Sequence, residues 1–136
     1  MRAVLDTNVF LSALLSEKGP PAAIVEAWRA ERFELVTSRE QIAEVKRAAR
    51  YEKVRTYASR AAVGQLVNSL RAADILLVRL PHSGGSPDPG DDYLLSMAIV
   101  ARADYLVTGD KALLALNRVA DTRIVMPHRF AALLAR

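Results

Sequence analysis

Apolar runs meet acids at three places in this chain. Val4-Leu5 leads into Asp6-Thr7-Asn8, Leu106-Val107 leads into Thr108-Gly109-Asp110, and Asp91-Asp92 opens the run Tyr93-Leu94-Leu95. An aspartate at the carboxyl end of a buried strand stands where open α/β sheets bind ligands. Glu44 adds a fourth acidic position, beside the apolar Ile42 and Val45 of a helical stretch. Carboxylates gathered from distant parts of one chain repel each other unless a cation holds them. Together they suggest a site for a hard divalent metal, and such sites commonly act on phosphates. Magnesium suits this donor set, because it takes a few carboxylates and leaves room for phosphate oxygens.

Each acid alone has a plainer use. Asp6 could begin a turn, Asp110 could cap a helix starting at Lys111, Asp91 and Asp92 could be first-turn acids favoured by a helix dipole, and Glu44 could be an exposed helix residue. Those uses predict no common location, whereas a metal site requires all of them on one sheet edge. Asn8 and Thr108 are placed to fix carboxylate rotamers by hydrogen bonding, or else to satisfy their own turns. No cysteine is present, which removes disulfides, thiolate sites and cysteine nucleophiles. The two histidines, His82 and His128, have no partner spacing and are expected at the surface. Phosphotransfer enzymes with an aspartate nucleophile after the first strand need a further partner set, for instance an acid two residues on. Asn8 stands there instead.

The elements that must carry these residues alternate. Strands are expected at Arg2–Leu5, Phe33–Val36, Ile75–Val78, Asp104–Val107 and Arg123–Met126. Helices are expected from Phe10 to Leu15, Ala22 to Ala30, after Thr37-Ser38, from Ser59 to Ala73, from Asp91 or Asp92 to about Arg102, from Lys111 to Leu116, and from Pro127 onward. Ser38 followed by Gln41 fits a capping box. Residues 81–90 are rich in glycine and proline and read as a loop leading to the acids. Strands alternating with helices give a three-layer α/β/α sandwich with a central, mainly parallel sheet of about five strands. Residues 1–136 fit one domain of common size.

The net charge is +4 and the isoelectric point about 9.8, despite the acids. Arg29, Arg32, Arg39, Lys46, Arg47, Arg50, Lys53, Arg55 and Arg60 crowd the first half. A basic surface around an acidic pocket suits RNA or DNA. Aromatic residues are few and scattered, so base-stacking platforms are not evident. No apolar run is long enough to span a bilayer, and the start lacks a signal-peptide pattern, so a cytoplasmic protein without a membrane partner is expected.

Across nearly its whole length the chain resembles a PIN domain, the metal-dependent nuclease fold of VapC-like toxins. The resemblance rests on Leu5-Asp6-Thr7-Asn8-Val9, on Ser38 with Glu44, on Asp88-Pro89-Gly90-Asp91-Asp92 before the Leu94-to-Ala98 helix, and on the stretch from Ala103 through Thr108-Gly109-Asp110 to Lys111. It implies a single-stranded RNA endonuclease using magnesium or manganese, with Asp6, Glu44, Asp91 and Asp110 as the acidic quartet. Counting back from Thr108-Gly109-Asp110 favours Asp92 for the third place, and the following Leu-to-Ala helix pattern favours Asp91, which we take. The later motifs are most similar to toxin components of toxin–antitoxin systems, which implies homodimers and a small cognate antitoxin. Trp28 is a candidate anchor for such a partner by residue type, with burial in the chain's own core as the alternative. A catalytically weak or inactive PIN-like RNA-binding module is the alternative for the whole chain.

Overall fold

The computed structural model describes residues 1–81 and 92–136, with Asp92 described by its backbone. In chain order these residues form β1 (Arg2–Leu5), α1 (Thr7–Leu15), α2 (Pro20–Arg29), β2 (Glu34–Ser38), α3 (Arg39–Ala48), α4 (Glu52–Tyr57), α5 (Arg60–Arg71) and β3 (Ile75–Leu77). Then come α6 (Asp92–Val100), β4 (Tyr105–Val107), α7 (Lys111–Leu114), β5 (Arg118–Val119), β6 (Thr122–Val125) and α8 (Pro127–Leu134). The six strands lie in the order β3-β2-β1-β4-β6-β5. All pairings are parallel except β5 with β6, a short antiparallel hairpin at one edge. The architecture is therefore the expected mixed α/β sandwich, with a sixth strand where about five were expected.

Alternation along the strands builds two cores. Ala3, Leu5, Leu35 and Val107 point to one face, against Val9 and Phe10 of α1, Ile24 and Trp28 of α2, Val45 of α3, Leu66 and Leu70 of α5, and Phe130 of α8. Val4, Val36, Leu106 and Ile124 point to the other face, against Leu94, Leu95, Met97 and Ala98 of α6 and Leu113 of α7. Strands buried on both faces read as short continuous apolar runs, which is why β1 and β4 are visible in the sequence. Trp28 is buried in the first core and packs edge-on against Phe10.

β1 fixes the position of the site. It lies between β2 and β4, and the chain proceeds from β1 toward β2 and β3 on one side and later to β4 and β6 on the other. The strand order thus reverses between β1 and β4, and their carboxyl ends open a crevice of the kind where α/β sheets bind ligands. Leu5 pairs with Val107 in the parallel register, so Asp6 and Thr108 leave the sheet side by side.

Candidate functional site

Asp6 is the first residue past β1. Its backbone N–H donates to the Val107 carbonyl at 2.8 Å, which extends the ladder by one residue beyond the strand. Its side chain caps α1, Oδ1 accepting from the Asn8 N–H at 3.2 Å. The cap starts α1 at Thr7, three residues earlier than apolar periodicity alone suggests. Oδ2 accepts from the Thr108 hydroxyl at 2.7 Å. Thr108, fully buried, also accepts from the Asp110 N–H at 3.0 Å. One threonine side chain therefore ties the β4 turn to the β1 acid and aims both aspartates at the crevice. Asp110 in turn caps α7, its Oδ1 accepting from the Ala112 N–H at 2.9 Å. The plainer use of Asp110 as a cap is real, and it leaves the second carboxylate oxygen available.

Glu44 comes from α3. Ser38 ends β2 and caps that helix, its hydroxyl accepting from the Gln41 N–H at 3.1 Å. The reciprocal half of the capping box is replaced by something more useful. The buried Gln41 side chain accepts from the Thr37 hydroxyl at 2.7 Å and donates to the Leu5 carbonyl at 2.5 Å. α3 is thereby pinned to the end of β1 one residue before Asp6. One turn further along α3, Glu44 stands half-buried and ion-paired with exposed Arg47.

Burial is the chief cause that raises the Asp6 carboxyl above its ordinary value. The Thr108 hydroxyl and the Asn8 N–H work against it, and the charges of Asp110 and Glu44 add to it. Those last two influences place three acids from β1, α3 and the β4 turn within electrostatic reach of one another. Arg47 is raised as well, for a different reason: the hydrogen bond and charge of Glu44 hold its guanidinium protonated. No salt bridge to Asp6 or Asp110 exists among the described residues. Acids at the opposite sheet edge behave differently. Asp104 accepts from the Arg2 N–H at 2.8 Å and Asp74 from the Leu35 N–H at 3.1 Å, closing the amino ends of the strands.

The donor set suits a divalent ion. A buried carboxylate, 7% exposed and without a cationic partner, feels the charge of two further acids and offers hard oxygen lone pairs. Among the described residues no group of three or more acids or histidines is close enough together to hold a metal ion, so these three carboxylates are near one another but not gathered into a ligand set. Asp91 lies outside those residues, and Asp92 opens α6 with its carboxylate also outside them. Asn8 meets Asp6 through its backbone; its side chain is exposed and lines a cavity of about 430 Å³ that also includes Thr7, Glu44, Tyr51 and Lys53. His128 is exposed, and His82 lies outside the described residues.

Two contributions escaped the sequence reading. Gln41 carries a capping signal but no sign that its amide is buried under Leu5. Tyr93 shares a 3.0 Å hydrogen bond with Thr7, linking α6 to the start of α1; nothing in the spacing of either residue announces it.

The model of the PIN domain family matches residues 2–112, which takes in β1 through β4, the start of α7 and all the acids named above. The chain belongs to the PIN domain family. Among curated proteins none matches its sequence. A PIN domain implies nuclease-type activity, a hydrolysis of nucleic acid that typically uses divalent metals. Bound at such a site, a divalent ion supplies Lewis acidity toward a phosphodiester. In this PIN domain Asp6, Glu44 and Asp110 are the described carboxylates that would offer it oxygens, Thr108 and the Asn8 N–H orient Asp6, and Gln41 ties α3 to the end of β1. The match ends before β6 and α8, yet β6 completes the sheet beside β4 and α8 packs on α2. No helix among the described residues is long and apolar enough to cross a membrane.

Proposed function

We propose that this PIN domain is a magnesium- or manganese-dependent endoribonuclease that cleaves single-stranded RNA. Its 136 residues act as one nuclease domain in the cytoplasm. Asp6, Glu44, Asp110 and Asp91 hold the metal, with Asp92 as the alternative to Asp91, and Asn8 and Thr108 position the ligands. In its cell the domain is the toxin of a type II toxin–antitoxin pair, a homodimer inhibited by a small cognate antitoxin, as the likeness of its motifs to VapC-like toxins suggests.

The observation that carries the reading is Asp6: buried, at the point where the strand order reverses, unpaired with any described cation and within electrostatic reach of Glu44 and Asp110. Its two oxygens accept from the Asn8 N–H and the Thr108 hydroxyl, which fix the carboxylate's orientation without supplying a countercharge. The test is cleavage of end-labelled single-stranded RNA by wild type and Asp6→Asn, each with magnesium, manganese or a chelator. Internal cuts that need the metal and disappear in a folded Asp6→Asn protein are expected. Cutting that persists in the chelator or in the variant would contradict the reading. Binding without cutting under every condition would make the chain an RNA-binding module.

A further inference from the structure

One cavity of the described residues lies away from Asp6 and Asp110. It has a volume of about 830 Å³ and lies between the end of α3, α4 and the start of α5, lined by Lys46, Ala49, Arg50, Arg55, Ala58, Ser59, Arg60 and Val63. Four of its lining residues are cations and none is an acid. All four are exposed, and none is ion-paired among the described residues. An exposed arginine normally finds water or an acid. Four unpaired cations converging on one concave surface form a ready site for an anion with several charges.

The location indicates which anion. The segment from α3 to α4 is a low wall with a cavity on either side. Glu44, Ala48, Tyr51, Lys53 and Val54 line the acidic side with Thr7 and Asn8, while Lys46, Ala49, Arg50 and Arg55 line the basic side. A chain of phosphates with one scissile group at Asp6 and Glu44 would cross this wall and drop into the basic cavity. Two tyrosines on the wall are strongly exposed, Tyr51 at 60% and Tyr57 at 71%. Exposed rings interleaved with cations are the pattern that holds unpaired bases and their backbone.

We infer that the Lys46, Arg50, Arg55 and Arg60 cavity is a phosphate-binding subsite for single-stranded nucleic acid, gripping the strand beyond the α3–α4 wall from the acids. The direction of the strand rests on the acids being the nuclease site; the anion affinity of the cavity does not. The subsite supplies attraction that depends on charge and hardly on sequence. It also accounts for a basic surface on a domain whose crevice is acidic.

Binding measured without metal separates the two claims. Fluorescence anisotropy of a labelled single-stranded RNA is followed in chelator over a range of salt for wild type, for Arg50→Gln/Arg55→Gln/Arg60→Gln, and for the control Arg123→Gln/Arg129→Gln at the other basic cavity, beside α8. Each released single-strand phosphate contact changes the slope of log K against log salt by about 0.7. The triple variant should therefore lose about two units of slope and bind more weakly, while the control keeps the wild-type slope. Glutamine retains length and polarity at exposed positions, and circular dichroism of all three proteins checks the fold. A triple-variant slope equal to wild type, or a wild type that binds no single strand, would overturn the inference. Neither result depends on cleavage, so a failure of the nuclease reading appears separately in the Asp6→Asn assay.

Discussion

Replacing Asp6 by asparagine should barely change the stability of the metal-free protein and should remove most of its stabilisation by metal. In the wild type the carboxyl is buried and its pKa is raised above 3.8, chiefly by that burial. The native state therefore binds this proton more tightly than the unfolded chain does. Stability falls as pH rises from about 3.8 through the raised native value, and the loss then stays constant up to neutrality. Asparagine removes the opposing charge. Its single carbonyl oxygen can accept from Thr108 or from the Asn8 N–H but not from both, so one hydrogen bond of about 1 kcal/mol is given up. The two effects oppose each other. With an unfolding entropy of about 2.1 cal/mol/K per residue over 136 residues, about 0.3 kcal/mol corresponds to one degree of Tm, so the metal-free difference should be a few degrees at most. A divalent ion at a hundredfold its Kd adds about 2.7 kcal/mol to the wild type, or about 9 °C. At the same concentration a variant binding a hundredfold more weakly gains about 0.4 kcal/mol, roughly one degree. Thermal unfolding in chelator and in manganese, on both proteins, reads all four values. Equal metal-induced rises in Tm would refute the reasoning, because Asp6 would then contribute nothing to the bound ion.

Four further predictions follow from the same geometry. Thr108→Val should cost about 1–3 kcal/mol in urea unfolding, because the buried hydroxyl serves Asp6 and the Asp110 N–H together; a neutral result would mean that water replaces it. Gln41→Leu should cost a similar amount by leaving the Leu5 carbonyl and the Thr37 hydroxyl unpaired, and should lower activity by releasing α3 from β1. Unchanged activity in a destabilised Gln41→Leu protein would separate the pin from the site. In chelator, the stability of wild type relative to Asp6→Asn should fall as pH rises above about 4, whereas a difference independent of pH would place the Asp6 carboxyl outside a burying environment. Arg47→Ala should free Glu44 and tighten manganese binding by no more than about fivefold by calorimetry, since solvent screens an exposed ion pair; weaker binding would mean that Arg47 aims Glu44.

The strands that lead into Asp6 and toward Asp110 were legible because they follow from burial. Val4-Leu5 and Leu106-Val107 are apolar on both faces, and the chain places a polar residue where each strand leaves the core. The start of α1 was read at Phe10 because apolar periodicity begins there, but the Asp6 side chain caps it at Thr7. α4 was unreadable for the opposite reason. Its sequence is polar and basic apart from Val54, the only residue it buries, so no stripe marks it. β5 contributes two residues to the sheet and owes its place to the hairpin with β6, a pairing that two residues cannot announce. Pairing between sheet positions is also what the sequence could not give for the site. The Thr108–Asp6 hydrogen bond spans 102 residues, and only the β1–β4 register brings its ends together. The exposed Tyr51 and Tyr57 show the same limit: aromatic content was low overall, and the fold sets these two rings in solvent at the start and end of α4.

The central claim is that Asp6, Glu44 and Asp110 hold a divalent ion in the crevice between β1 and β4. Crystals grown with manganese, with diffraction recorded on both sides of the manganese absorption edge, test it most directly. An anomalous peak bounded by these three carboxylates, present above the edge, lost below it and absent from Asp6→Asn crystals, is the predicted result. Manganese bound elsewhere on the protein with this crevice empty, or a peak that survives Asp6→Asn unchanged, would contradict it.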